Sequence, residues 1–89
     1  MYPFRQNKIN SNLLLREFSS DTSSEDLIWH RDVRNRTVVV IESAGWMLQM
    51  DNSLPIPLLE GSSYNISAGE WHRVIKGTGK LVIAVKEHD

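Results

Sequence analysis

Cysteine is absent from the 89-residue sequence, and long hydrophobic runs are absent too. Without cysteine the chain can form no disulfide, no thiolate metal site and no cysteine nucleophile, and we expect a reducing, cytoplasmic setting. The longest apolar runs, Val38–Ile41 and Leu81–Val85, are far too short to span a bilayer, and no apolar targeting segment is visible. We therefore expect no membrane partner.

A strong charge of either sign is also missing. Ten Lys and Arg residues stand against eleven Asp and Glu residues, which gives a formal net charge of −1. This balance gives no electrostatic reason to expect nucleic acid as a partner. The sequence also lacks a phosphate-binding glycine loop, a nucleophile elbow and paired zinc-finger spacing. With 89 residues, the chain has room for one domain with a modest core.

Short apolar segments separated by turn residues make up most of the chain. The clearest strand is Arg36–Glu42, and further candidates are Leu13–Phe18, Trp46–Met50 and Leu81–Lys86. No segment longer than a few residues has the period of a helix. Many short strands with regular turn spacing predict an all-β sandwich or barrel.

The first twelve residues differ from the rest of the chain because they are polar and irregular. We interpret residues 1–12 as an N-terminal arm that either frays or pairs with a neighbouring subunit, and residues 13–89 as the β-barrel domain. A barrel this short leaves edge strands and tryptophans exposed. We therefore expect a second copy to cover them in a homodimer.

The most informative stretch is Gly61–Lys76, which has turn residues at its ends and strand-type residues between turns. This pattern is typical of a β-hairpin corner. It places His72 at the start of a strand, and an inward-pointing His72 shares a face with Val74. His30 lies upstream at a similar strand end. Two inward histidines from different strands are the minimum for a metal site.

With the strands in this order, the residues of this stretch resemble the second motif of the cupin family. Members of this family are small β-barrels of jelly-roll type. That motif consists of a glycine, five residues, Pro-x-Gly, two residues, a histidine, three residues and an asparagine. Gly61, Gly69 and His72 match it in order and spacing. Ser67 stands where the proline is usual, and Lys76 stands where the asparagine is usual.

The family's first motif is kept at one position only. It consists of a glycine, five residues, His-x-His, three or four residues, a glutamate, six residues and a glycine. His30 matches the first histidine, and Asp32 occupies the place of the second. Arg36 occupies the place of the glutamate. Ser24 and Ser43 stand where the two glycines are usual.

This resemblance implies a small single-domain cupin, an all-β jelly-roll barrel, over roughly residues 24–85. In metal-binding members the motif residues point into the barrel and hold iron, manganese, zinc, nickel or copper. Carried over position by position, this implies a divalent metal held by His30, Asp32 and His72. Two imidazoles and one carboxylate are the ligand types of the facial triad in non-haem iron oxygenases.

Arg36 admits two opposed interpretations, because a guanidinium has no lone pair with which to ligate a metal. In the first, Arg36 pairs with Asp32, and an internal ion pair has replaced the metal site. In the second, Asp32 holds a metal and Arg36 clamps the carboxylate or phosphate of a substrate beside it. Gln49 and Tyr64 are further candidate substrate-binding residues, since both could reach the barrel interior.

Two functions are compatible with these residues. The first is a metal-dependent pocket for a small anionic molecule, with oxygenase- or isomerase-type chemistry. The second is a non-catalytic, metal-free cupin that binds a small molecule or acts structurally, with the Asp32–Arg36 pair in its pocket. No residue stands out as a separate general base. The fold does not decide between the two, because one barrel hosts many functions.

Overall fold

The computed structural model describes residues 4–88. Within them the chain forms eight strands and one short 3₁₀ helix, so the predicted all-β fold is confirmed. Across these residues, no helix has the length and apolar character needed to cross a membrane. The elements are β1 (Arg5–Asn10), β2 (Leu13–Phe18), η1 (Ser24–Asp26), β3 (Arg36–Ser43), β4 (Met47–Met50), β5 (Ile56–Pro57), β6 (Ser63–Ile66), β7 (His72–Ile75) and β8 (Leu81–Glu87).

The strands form two antiparallel sheets that face each other across the core. The larger sheet has the order β1-β2-β8-β3-β6, and the smaller has the order β5-β4-β7. The last strand, β8, lies between β2 and β3 and pairs with both. Sequence-distant strands therefore meet in the middle of a sheet, as in a jelly roll.

Strand β3 shows why the sequence folds in this way. Val38 and Val40 are 7% and 1% exposed. Their neighbours Val39 and Ile41 are 39% and 52% exposed. Successive side chains of a strand point to opposite faces, so an unbroken run of β-branched residues covers the core with every second member. The same alternation along β8 buries Leu81, Ile83 and Val85.

The core is closed at one end by Trp46, which is 1% exposed. Its ring packs against Phe18 with 5.4 Å between the ring centroids. Its indole N–H donates to the backbone carbonyl of Gly79 at 2.9 Å, so the polar atom of this large side chain has a partner. This bond ties the residue before β4 to the turn before β8.

The structure differs from the sequence prediction in the N-terminal segment. Residues 5–10 are not irregular but form β1, which pairs with β2 of the same chain, for example Arg5 opposite Glu17 and Asn7 opposite Leu15. All six residues of β1 are exposed. An edge strand that buries neither face carries no hydrophobic alternation, so the sequence held no signal for it. Residues 1–3 and 89 lie outside the described residues. Pairing of this segment with a second subunit stays a prediction.

The close approach at Gly77 generates a stability prediction. A methyl group on Gly77 would meet the carbonyl oxygen of Ala44 and would lie 2.6 Å from the backbone nitrogen of Trp46. Gly77→Ala should therefore lower the free energy of unfolding by about 2 kcal/mol or more in urea titrations. The matched control is Gly69→Ala, where φ is +78° and the added methyl meets nothing within 4 Å. That variant should lose only about 1 kcal/mol of stability from the unfavourable φ. Equal losses in the two variants would contradict the steric explanation.

Candidate metal centre

Two histidines from distant parts of the chain are held side by side by their backbones. The N–H of His30 donates to the carbonyl of His72 at 3.0 Å, and the N–H of His72 donates to the carbonyl of His30 at 2.9 Å. This isolated antiparallel bridge lies at the first residue of β7, on the edge of the strand opposite the one that pairs with β4. It brings the ring centroids to 4.2 Å, close to edge-on. The two positions matched to the cupin motifs therefore meet in space.

His72 points into the interior of the barrel. It is 4% exposed and lines an internal pocket together with Val74, two residues along the same strand. Arg73 between them points to the other face, where its guanidinium lies 4.8 Å from the centroid of the Trp29 ring. His72 is thus an inner-face residue, and the tryptophan beside His30 packs outside.

Asp32 completes the group. The Oδ2 atom of Asp32 lies 3.4 Å from Nε2 of His72. His30, Asp32 and His72 each offer one candidate ligand atom, and these three atoms lie within 4.8 Å of one another. The backbone N–H of Gly69 donates to the carbonyl of Asp32 at 2.7 Å, which anchors the loop that carries the aspartate. The structure therefore brings together all three predicted ligands.

Arg36 contacts two carboxylates at the start of β3. Its Nη1 lies 3.2 Å from Oδ1 of Asp32, and its Nη2 lies 3.3 Å from Oε2 of Glu87. All three side chains are largely buried, with 14–22% of each exposed. The ion pair between Asp32 and Arg36 is therefore present, and a second acid shares the guanidinium.

Sequence reasoning missed Glu87. The sequence pattern that could have indicated Glu87 is the alternation along β8, because Val85 and Glu87 lie two residues apart and therefore share a face. Glu87 then meets Arg36 because the two residues are opposite each other in the β3–β8 ladder. That pairing is set by the register between the strands, which the alternation within one strand does not reveal.

Backbone carbonyls fix the orientation of both imidazoles. Nδ1–H of His72 donates to the carbonyl of Glu70 at 2.8 Å. Nδ1–H of His30 donates to the carbonyl of Ile28 at 3.2 Å. A carbonyl oxygen can only accept, so each ring carries its proton on Nδ1. In the neutral ring, Nε2 then offers a lone pair, which is the arrangement found in metal-ligating histidines.

The contact between His72 and Asp32 is unfavourable unless a cation or proton lies there. Burial lowers the pKa of His72 below its usual 6.5, and nearby His30 and Arg36 add to that effect. The hydrogen bond to Glu70 and the charge of Asp32 oppose it without reversing it. A neutral His72 turns its Nε2 lone pair toward Oδ2 of Asp32. This oxygen is buried and makes no hydrogen bond within the described residues. A buried acceptor without a donor is costly, so the three residues fit a divalent cation.

A pocket of about 430 Å³ opens beside these residues. One part of its wall is polar and the rest is mostly hydrophobic. Its described lining residues are Phe4, Arg16, Phe18, Asp26, Leu27, Ile28, His30, Asp32, Arg36, Val38, Leu48, Leu58, Ile66, His72, Val74, Ile83 and Val85.

Gln49 and Tyr64, which the sequence suggested as substrate-binding residues, are not among the described residues of this lining. Gln49 follows Leu48 on β4, and Leu48 lines the pocket, so Gln49 points to the opposite face. There its Oε1 accepts from Nε of Arg73 at 2.9 Å. The hydroxyl of Tyr64 donates to the carbonyl of Pro57 at 2.8 Å and ties two parts of the chain together. Neither residue is carried into the site proposed below.

Solved structures share this architecture at low sequence identity. A cupin domain from Bordetella pertussis Tohama I superposes with a TM-score of 0.61 at 16% identity, covering 100% of this chain and 98% of that one. The cobalt(II) form of HppE in complex with Tris buffer superposes with a TM-score of 0.77 at 16% identity, covering 99% of this chain. A structure of the DMSP lyases RdDddP and RnDddQII matches with a TM-score of 0.73 at 14% identity over 86% of this chain.

The chain spans 37% of the DMSP lyase chain and 55% of the HppE chain that it matches. No protein-family model matches the sequence, and no curated protein matches it. Likeness at such identities concerns the fold alone. Of the two histidines that match the cupin motifs, His72 is buried inside a barrel that superposes on a cupin domain, whereas His30 is exposed and not inward-pointing as predicted. The protein has the cupin fold.

Proposed function

We propose that the protein binds a divalent metal ion through His30, Asp32 and His72 and uses it to hold a small anionic molecule in the adjoining pocket. The observation that carries this proposal is the contact at 3.4 Å between Nε2 of His72 and Oδ2 of Asp32. Neither atom carries a proton when His72 is neutral. A cation between them removes this repulsion, because both the Nε2 lone pair and the carboxylate oxygen are attracted to it.

Two imidazoles and a carboxylate suit iron, manganese, zinc or nickel. When bound, such an ion supplies Lewis-acid polarisation or dioxygen activation, which corresponds to isomerase- or oxygenase-type chemistry. The solved cobalt(II) and iron(II) forms of HppE support a metal in a barrel of this shape. The residues of this chain supply the candidate ligands, their orientation and a largely apolar wall beside them.

Arg36 has a different role in this proposal from that of an anion clamp. Two of its nitrogens already contact Asp32 and Glu87, so most of its charge is balanced within the protein. It holds Oδ1 of Asp32 and leaves Oδ2 directed at His72. A partner that orients a ligating carboxylate is a usual feature of metal sites.

A metal-free binding protein is the second candidate, because the Asp32–Arg36 ion pair that it requires is present. In that case Arg36 and its two carboxylates form an internal group with one excess negative charge, and the pocket binds a small molecule without chemistry. The two candidates differ in whether Oδ2 of Asp32 and the histidines take up an ion.

A homodimer remains part of the proposal. Val39 and Ile41 project from the outer face of the larger sheet and are well exposed. Apolar side chains on a sheet face of this kind support contact with a second copy.

Metal content is the direct test. Tag-free protein purified without chelator should carry close to one iron, manganese, zinc or nickel ion per chain by mass spectrometry. His72→Ala should lose the ion, because it removes one of three ligands. His88→Ala is the matched control, since Nε2 of His88 contacts Oγ1 of Thr37 at 2.8 Å outside the ligand group. Protein that stays empty on titration with all four metals would favour the metal-free candidate.

The shared guanidinium predicts non-additive stability changes in EDTA. Asp32→Ala and Glu87→Ala should each lower the free energy of unfolding by about 1–2 kcal/mol, because Arg36 keeps one partner in each variant. The double variant should lose more than the sum of the two, by about 1–2 kcal/mol, because Arg36 is then buried without a counter-charge. Adding Arg36→Met to the double variant should restore much of that excess. Strict additivity in urea titrations would show that the three charges do not interact.

The lowered pKa of His72 predicts how the stability of the metal-free protein depends on pH. Below about pH 6.5 the unfolded chain takes up a proton at this histidine before the folded chain does. The contribution of His72 is therefore complete above pH 6.5 and is lost as the pH falls toward its folded pKa. Urea titrations in EDTA at about pH 7.5 and about pH 5.5 should show a smaller decline for His72→Gln than for the wild type. An identical decline would mean that His72 titrates normally.

A further inference from the structure

We propose that the ligand is a singly charged carboxylate with an apolar body, an alkyl chain or an aryl ring. Its carboxylate would lie at the metal and its body along the hydrophobic wall. This inference rests on the metal site proposed above and adds the class of molecule that the site takes. It is carried by two properties of the pocket, its charge and its wall.

The charge of the polar group sets the charge of the ligand. Asp32 and Glu87 carry one negative charge each, Arg36 carries one positive charge, and ligating imidazoles are neutral. The group therefore has one excess negative charge, and a divalent cation turns this into one excess positive charge. Arg16 and Asp26, the other charged residues of the described lining, have opposite signs and cancel. A monoanion brings the whole pocket to neutrality.

Ligands with a second negative charge would leave that charge uncompensated. A phosphomonoester carries about 1.5 to 2 negative charges at neutral pH, and a dicarboxylate carries two. Arg36 does not balance the excess, because Asp32 and Glu87, which its Nη1 and Nη2 contact at 3.2 and 3.3 Å, already outweigh its single positive charge. Its Nε is buried without a hydrogen-bond partner within the described residues but brings no further charge. A charge without a partner is costly to place against a mostly apolar wall.

The wall of the pocket sets the polarity of the body. Eleven of the seventeen described lining residues are hydrophobic, and they come from both sheets and from the segment after η1. Among the six polar ones, four belong to the metal group and its arginine. Nε of Arg16 donates to Oε1 of Gln6 at 2.8 Å, and the guanidinium lies 4.5 Å from the centroid of the Phe4 ring. A sugar would therefore place several hydroxyl groups against carbon, whereas an alkyl or aryl body would bury apolar surface.

The experiment is calorimetric titration of the zinc-loaded full chain with acetate, butanoate, hexanoate and octanoate. The dissociation constant should fall about fourfold for each methylene added, until the chain fills the pocket. Octanedioate and hexyl phosphate test the charge, and octan-1-ol tests the need for an anion. Each should bind at least about tenfold more weakly than the matched monocarboxylate. Octanoate should also bind the chelated protein at least about tenfold more weakly than the zinc-loaded protein.

A pair of adjacent residues on β3 locates the binding. Val38 lines the pocket, whereas Val39 projects from the outer face. Val38→Phe should weaken octanoate binding at least about tenfold by filling the cavity, and Val39→Phe should leave it unchanged. Zinc content reports whether each variant keeps its site. If Val38→Phe does not fold, Val74→Phe narrows the same pocket from β7.

The outcomes separate the two proposals. A chain that takes up none of iron, manganese, zinc and nickel overturns the proposed function before any carboxylate is added, and this inference falls with it. If one of the other three metals binds in place of zinc, the same titrations use that metal. Zinc binding without any gain from acetate to octanoate overturns the apolar body and leaves the proposed function standing. Equal or tighter binding of octanedioate or hexyl phosphate overturns the single charge. Equal binding of octanoate with and without zinc overturns the contact between carboxylate and metal.

Discussion

The structure of the site depends on how the two oxygens of one carboxylate are used. Oδ1 of Asp32 pairs with Arg36, which also holds Glu87, and so this oxygen belongs to the link between the start of β3 and the end of β8. Oδ2 faces His72 and belongs to the pocket. The internal ion pair and the metal site are alternatives only if the carboxylate acts as one unit. Because its oxygens act separately, the ion pair can orient the aspartate for a metal instead of replacing the metal.

The fold was predictable because two kinds of signal were local. The alternation of buried and exposed residues along Arg36–Glu42 needs only the period of a strand. The motif glycines Gly61 and Gly69 have φ values of +82° and +78°, a backbone region that favours glycine. These positions are therefore recognisable without knowing what they pack against. Strand β1 lacks such a signal, since a strand exposed on both faces can be polar throughout.

The site was predictable only in part, for a related reason. His30, Asp32 and His72 were assigned by motif spacing, and the barrel brings them together through a single backbone bridge. Glu87 was missed because its contact with Arg36 depends on the register between two strands. Gln49 was assigned to the wrong face because a four-residue strand gives too little alternation to fix its orientation. Spacing along the chain identified the candidate ligands that the structure brings together, but not the residues that position them.

The departures from the cupin motifs compensate one another in charge. The two motifs that this sequence resembles supply three histidines and one glutamate. Here an aspartate stands at one histidine position and an arginine at the glutamate position, so the set still contains one carboxylate, moved by four residues. The positive charge of Arg36 is offset by Glu87, which lies opposite it across the β3–β8 ladder. The set of candidate ligands thus keeps a single negative charge and has one residue fewer than the motifs supply. A divalent ion held there would have one more open position, and its excess charge would match a ligand that carries one negative charge.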